Sequence, residues 1–301
     1  MDKPIVSVIV LTYKKFDYFK ECIDSILTQT YSRIELMISD DGSENFDQDL
    51  IEGYINDHKK SNIVNVQIIH HPNLGTVKNY NQAIKASQGK YIVNLAIDDC
   101  FYDGFAVSNI AEFFEETKAM IVTAYREVYD EKFEKKIERL PYRKYVKTLR
   151  TNKKIYRILC KGNFFSGACT YYSKAFFEQY GLFHESYILL EDYPKYLQAT
   201  RMGCPIGFLE KTTLKYRMGG ISTSGNMHPI LQKDYETAIE REILPYPKET
   251  GWFMHRYSTY DYLGMQGKQS ILTKFRYVDV LIYKIAEALK NRMIRKVVGS
   301  L

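Results

Sequence analysis

Apolar and polar positions fall into two alternating kinds of run over the first 125 residues. Ile5–Leu11 is a short β-branched run, as expected of a strand buried on both faces. Asp17–Thr28 then places Phe19, Cys22, Ile23, Ile26 and Leu27 at helical spacing. The alternation continues with strands at Ile34–Ser39, Val64–Ile69, Tyr91–Ile97 and Ala119–Ala124, and with helices at Asp47–His58, Val77–Ala86 and Phe105–Glu116. Asp40-Asp41-Gly42-Ser43 and Pro72-Asn73-Leu74-Gly75 carry turn chemistry between them. Strands alternating with helices predict an α/β fold, a mostly parallel central sheet with helices on both faces.

The pattern changes after Tyr125. Tyr125 to Lys161 is charged, tyrosine-rich and weakly periodic, and reads as an excursion over the active face. Gly167 to Gly181 returns to a strand and a helix, and Leu189 to Met202 reads as a helix. Near the C-terminus Ser270 is an N-cap candidate. After it Leu272, Phe275, Val278, Ile282, Ile285, Leu289 and Met293 recur every three or four residues, predicting one long amphipathic helix with a basic opposite face.

Composition narrows the class. At 301 residues and 45% hydrophobic, the chain can build a well-buried core and is not a disordered one. No apolar run approaches the roughly 18 residues a membrane helix needs, and the start does not read as a signal peptide. Five scattered cysteines without a CxxC argue against a disulfide framework or a zinc site and for a reducing cytoplasm. Cys169 and Cys204 read as small core residues. The net charge of +6 is uneven: Lys132–Lys161 holds twelve Lys/Arg against two Glu, and Lys274–Lys296 holds seven against two acids. An acidic body with two basic segments points to an anionic partner met by particular surfaces.

The chemistry should lie beyond the carboxyl ends of the strands, where open parallel sheets bind ligands. Three acidic pairs are placed for it: Asp40-Asp41 after the second strand, Asp98-Asp99 after the fourth, and Glu191-Asp192 after an apolar Ile188-Leu189-Leu190 run. Such carboxylates suit Mg²⁺ or Mn²⁺, hard cations that share oxygen ligands with substrate phosphates. No GxGxxG follows the first strand, and neither GxxxxGK[ST] nor GxSxG occurs, which argues against dinucleotide dehydrogenases, P-loop enzymes and hydrolases of the elbow type. His70-His71, pointing to opposite faces of a strand end, cannot easily share a metal and read as structural or solvent-facing. Trp252 and the tyrosines around it read first as packing, with sugar stacking as a second use.

The ordered set Val6–Tyr13, Gln29-Thr30-Tyr31, Asp40-Asp41-Gly42-Ser43, Asn73-Leu74-Gly75 with Asn81, Gly89–Ile92, Asp98-Asp99 and Glu191-Asp192 resembles the inverting family-2 glycosyltransferases of GT-A fold over roughly residues 4 to 225. The resemblance implies a UDP-sugar donor and a glycan or lipid-linked acceptor, in polysaccharide, capsule or lipid-linked oligosaccharide synthesis. By residue match it assigns Leu11, Thr12 and Tyr13 to the nucleotide loop, Asp40 to the uracil N3–H, Lys78 and Arg217 to the diphosphate, Asp98 to the ribose or donor sugar, Asp99 to Mn²⁺ or Mg²⁺, and Asp192 to the general base. It implies a catalytic domain at 1–225, with a nucleotide half at 1–99 and an acceptor half at 100–225, and a helical extension at 226–301. Capping of the domain, contact with an anionic membrane surface and homodimerisation stay open for that extension. The implied location is cytoplasmic, peripheral on the inner face of the plasma membrane, and nucleic acid is not an expected partner. A nucleotidyltransferase on a similar fold and an inactive scaffold are the alternatives.

Several residues depart from the family pattern. Leu11 stands where proline is frequent, Ala96 replaces the first aspartate of DxDD, and Tyr80 occupies a common arginine position. The late Tyr216-Arg217-Met218-Gly219-Gly220-Ile221-Ser222 segment lacks the frequent histidine.

Overall fold

The computed structural model describes residues 3–151, 155–219 and 227–298. The expected 225/226 boundary, Gly220-Ile221-Ser222 and the Met293 side chain lie outside what is described. The chain runs through β1 (Val6–Thr12), α1 (Phe19–Leu27), β2 (Ile34–Asp40), α2 (Gln48–His58), β3 (Ile63–His70), α3 (Thr76–Ala86), β4 (Tyr91–Ala96), β5 (Cys100–Phe101) and α4 (Ala106–Thr117). It continues with β6 (Ile121–Tyr129), β7 (Lys136–Leu140), α5 (Arg143–Thr151), α6 (Ile155–Leu159), β8 (Thr170–Ser173), α7 (Lys174–Tyr180), α8 (Asp192–Arg201) and β9 (Ile206–Arg217). The C-terminal part is helical: α9 (Pro229–Glu242), α10 (Pro247–Thr250), α11 (Trp252–Met265), α12 (Ile271–Arg276) and α13 (Val278–Val298).

The strands form one sheet in the order β3-β2-β1-β4-β8-β6-β9-β5, with β7 on β6. β1 pairs in parallel with β2 on one side and β4 on the other. The chain therefore reverses its winding at β1, and a crevice opens there at the carboxyl ends. Register brings those ends level: Thr12 lies opposite Asp40, and Leu11 opposite both Ser39 and Ala96. The second half is mixed, since β8 runs antiparallel to β4 and β6 while β6 and β9 are parallel.

Alternation along β1 builds two cores. Val6, Val8 and Val10 join α1 and α4 on one face, while Ile9 joins α3 and α8 on the other. α9 contributes Leu231, Ala238 and Ile239 to that second core, so this part of the extension packs against the body. Tyr80 is buried there as well.

Three sequence expectations are corrected. Tyr125–Lys161 is a β6–β7 hairpin followed by α5 and α6. Its charge hides the strand pattern because β7 is a mostly exposed edge, held by Lys136 on Glu127 and by the Arg139 guanidinium over the Tyr125 ring. The C-terminal helix is broken at Tyr277, which turns inward with Val280 against Tyr257 and Tyr260 of α11. Ser270 does cap its first part, accepting from the Thr273 N–H. Trp252 is 70% exposed, not packed.

Below the sheet, at the amino ends of the strands, Gly89 donates to Ser7 Oγ at 2.8 Å. A Cβ at Gly89 would stand 2.4 Å from the Ser7 backbone nitrogen, so the strand must shift to admit one. Gly89→Ala should lower the unfolding free energy by about 1–3 kcal/mol, read from the urea midpoint. An unchanged midpoint would show that β1 moves without cost.

Candidate active site

The carboxyl ends of β1, β2 and β4 bring two of the three acidic pairs to one side of the sheet. Asp40 ends β2 with no exposure. Its Oδ2 accepts from Ser43 N at 2.8 Å and its Oδ1 from Ser43 Oγ at 2.6 Å. His70, at the end of β3, meets Oδ2 through Nδ1 at 2.8 Å and stacks on Phe46 with ring centroids 4.5 Å apart. An ionised carboxylate only accepts, so Nδ1 donates in this contact. His71 instead serves Asn79, at 3.1 Å, which confirms that the two histidines part company. Asp41 takes the Leu74 and Gly75 N–H groups at 2.7 and 3.0 Å and fastens the 72–75 loop.

Thr12 is buried, and its hydroxyl has no hydrogen-bond partner among the described residues. Tyr13 beyond it is 43% exposed, with the Lys14 ammonium 5.0 Å from its ring centroid. Leu11 packs partly buried against the second core. Lys78 is exposed in the first turn of α3.

Asp98 and Asp99 differ sharply. Asp98 is partly exposed and pairs with Lys15 from the loop after β1. Asp99 is 1% exposed. Its Oδ1 accepts the Arg217 N–H at 2.9 Å, and its Oδ2 is buried with no hydrogen-bond partner among the described residues. Burial, with Asp98 beside it, pushes the Asp99 carboxyl up to about 8. Arg217 is itself committed. Its guanidinium donates to the Asp98 carbonyl at 2.8 Å, to the Glu131 carbonyl and to Glu21, between the rings of Tyr18 and Phe133. At 4% exposure it braces the Asp98-Asp99 turn.

Among the described residues no group of three or more His, Cys, Asp or Glu side chains is placed to hold a metal. The residues nevertheless fit a divalent cation of the kind that takes one or two carboxylates and completes its shell with phosphate and water. The orphaned Asp99 Oδ2 is an acceptor that such a cation would satisfy, and it would relieve the burial that raises this carboxyl.

Glu191 and Asp192 open α8, where the positive end of the helix dipole favours anions. Asp192 Oδ2 accepts from Asn163 Nδ2 and Gly167 N, both at 3.0 Å, and Oδ1 from Tyr193 N at 2.6 Å. Burial raises both carboxyls, and the adjacent Asp192 raises Glu191 further. The three donors favour the ionised form of Asp192, so Asp192 keeps the charge and Glu191 is the member held protonated longer. Sequence reasoning missed Lys15, Asn163 and Gly167, and the contact of His70 with Asp40, because each reaches its carboxylate from a distant segment with no local signal.

Gly167 lies so close that a Cβ there would meet Glu191 Oε1 at 2.9 Å and Asp192 Oδ2 at 3.1 Å. Gly167→Ala should therefore turn both carboxylates and cut turnover about 10–100-fold, with the melting temperature little changed. Unchanged turnover in steady-state kinetics would show that the pair's orientation does not matter.

Residues 7–181 match the family described as Glycosyl transferase family 2. An uncharacterized glycosyltransferase of Haemophilus influenzae is 26% identical over 249 residues, 81% of this chain and 74% of that protein. One from Rickettsia felis is 29% identical over 71% of this chain but only 34% of its own length. Among solved structures, Staphylococcus aureus TarS 1–349 in complex with UDP-GlcNAc superposes with a TM-score of 0.59 at 18% identity, covering 90% of this chain and 74% of that one. The mannosyltransferase PcManGT of Pyrobaculum calidifontis, in complex with GDP-Man and Mn²⁺, gives 0.61 at 15% identity over 96% and 81%. A match over more than half of the chain, on a sheet with two acidic pairs at its strand ends, makes this protein a member of glycosyltransferase family 2 with a GT-A fold.

Proposed function

We propose that the protein transfers a sugar from a UDP-sugar to a hydroxyl of a glycan or lipid-linked acceptor, in a single displacement that inverts the anomeric carbon. The observation that carries this is a pair of buried carboxylates on one framework: Asp99, with an oxygen that has no hydrogen-bond partner among the described residues, and Asp192, fixed by three donors. Solved structures of similar fold with UDP-GlcNAc and with GDP-Man and Mn²⁺ support a nucleotide-sugar donor.

In this reading Tyr13 stacks near the base, and Asp40 takes the uracil N3–H on the free lone pair of Oδ1. Leu11 and Thr12 line the nucleotide, and Asp98 holds the ribose or donor sugar. Asp99 would hold Mn²⁺ or Mg²⁺, which when bound offsets the charge that develops on the departing diphosphate. Lys78 approaches the diphosphate from α3. Arg217 acts there indirectly, by holding the Asp98-Asp99 turn. Asp192 accepts the proton of the attacking hydroxyl as the new bond forms. Asn163, Gly167 and Tyr193 hold its carboxylate in line, and burial limits its loss of basicity to those donors. Residues 1–99 serve as the nucleotide half, 100–225 as the acceptor half and 226–301 as the extension.

The extension favours a membrane surface as the place of work, with a polysaccharide or lipid-linked glycan as the product. Leu272, Phe275, Ile282 and Leu289 are 80, 75, 63 and 56% exposed. Lys268, Lys274, Arg276 and Lys290 are exposed beside them. Both acids of the segment are engaged, Asp279 by Arg256 and Glu287 by Lys161, so the free charge is cationic. Apolar side chains flanked by cations suit an anionic lipid interface; a symmetric homodimer through the same stripe brings like charges together. No described helix is long and apolar enough to cross a membrane.

Two measurements test these statements. With a panel of UDP-sugars and Mn²⁺, Asp192→Asn should lose UDP release by about 10²–10⁴-fold while UDP affinity stays within a few-fold; wild-type turnover in that variant removes Asp192 as the base. The full chain should float with phosphatidylglycerol vesicles and not with phosphatidylcholine ones. The Leu272→Ser, Phe275→Ser, Ile282→Ser variant should stay behind, and equal flotation of the two proteins would contradict a role for the stripe.

A further inference from the structure

The segment from Gly181 to Glu191 joins α7 to α8 without regular hydrogen bonding and delivers Glu191 and Asp192 to the site. Such a segment needs something to hold its direction. Three successive N–H groups, those of Ile188, Leu189 and Leu190, converge on one atom, Asp234 Oδ2, at 2.9, 2.7 and 3.1 Å. Asp234 sits on α9 and is 3% exposed. A buried carboxylate is costly unless donors surround it, and three buried N–H groups are equally costly without an acceptor. Each side of this contact therefore requires the other.

The other flank of the segment is tied to the nucleotide end. The Ile188 carbonyl accepts the Val77 N–H at 3.2 Å, at the start of α3. Gly75, with φ of +86°, abuts the same residue so closely that a Cβ would meet Ile188 Cγ2 at 2.8 Å. Gly75 is itself held by Asp41. A continuous path of hydrogen bonds and packed backbone thus runs from Asp41 through 74–77 and Ile188 to Asp234, and it stops one residue short of Glu191. Asp234 lies past the residues that match the family and past the stretch expected to be catalytic.

We propose that Asp234 is a positioning residue of the transfer reaction: by clamping the 188–190 backbone between α9 and α3 it sets the direction in which Glu191 and Asp192 present their carboxylates. This rests on Asp192 acting as the base. It makes α9 a working part of the active site, and it places the control of base geometry in a segment outside the nucleotide fold. Asp234 need not touch either substrate, so its effect should fall on turnover and not on donor binding.

Asp234→Asn in the full chain tests this, because the amide keeps the shape but removes the charge and turns one arm into a donor. The expected result is a kcat lower by about 10–100-fold, with donor KM within about twofold and the Kd and stoichiometry of UDP binding by calorimetry unchanged. A kcat per UDP-binding site equal to wild type overturns the proposal, since a residue needed only for folding would reduce the number of sites and leave each one intact. Should the variant not fold, hydrogen exchange on the wild-type protein decides. Slow exchange at the Ile188, Leu189 and Leu190 amides supports the clamp, and exchange as fast as in an open loop overturns it. Asp192→Asn measured alongside separates the two levels. Full turnover there removes the base assignment, whereas an inactive Asp192→Asn beside a fully active Asp234→Asn removes the clamp alone.

Discussion

Buried carboxylates at the carboxyl ends of the strands and at the start of α8 are the constraint around which this structure is organised. An ionised carboxylate cannot stay in a protein interior without donors, so the loops above the sheet are shaped by supplying them. Asp41 gathers the N–H groups of Leu74 and Gly75, Asp40 those of Ser43 and His70, and Asp192 those of Asn163, Gly167 and Tyr193. Asp99 differs, with one oxygen bonded to the Arg217 backbone and the other without a partner among the described residues. Donors from the loops fix the direction of Asp40, Asp41 and Asp192, whereas the Asp99 oxygen without a donor is the one that most needs a ligand.

The sheet topology explains why these groups meet. Reversal of winding at β1 leaves the ends of β1 and β4 without a crossover above them, and the register sets Thr12 beside Asp40 and Leu11 beside Ala96. The turn after β4 is then fixed from the far side of the sheet, where Arg217 at the end of β9 reaches back to the Asp98 carbonyl and the Asp99 carboxylate. Distant strands are in this way made to agree on one geometry.

Much of this was legible in the amino-acid order. β1 to β4 and their helices stand out because buried parallel strands are short apolar runs, and the acidic pairs sit just past them. The β6–β7 hairpin was not, since an exposed edge strand carries charges that mask its alternation. Nor were α9 and α11 marked by any strong stripe, because their buried positions face partners on several sides. The donors were the least visible part. Lys15 meets Asp98 across 83 positions of sequence, and Asp234 meets Leu190 across 44. A lysine or an aspartate carries no mark of such a partner until the chain is folded. The apolar stripe after Ser270 was visible, but its outward direction was not, since only the break at Tyr277 turns Tyr277 and Val280 inward.

The central claim is that Asp99 holds acceptor capacity in reserve for a cation that arrives with the donor diphosphate. Titration of Mn²⁺ into the protein saturated with UDP addresses it directly. Saturable binding at a single site is expected, strongly reduced in Asp99→Asn, with UDP still bound by that variant. Absence of Mn²⁺ binding in the wild type, or equal binding in Asp99→Asn, would contradict it.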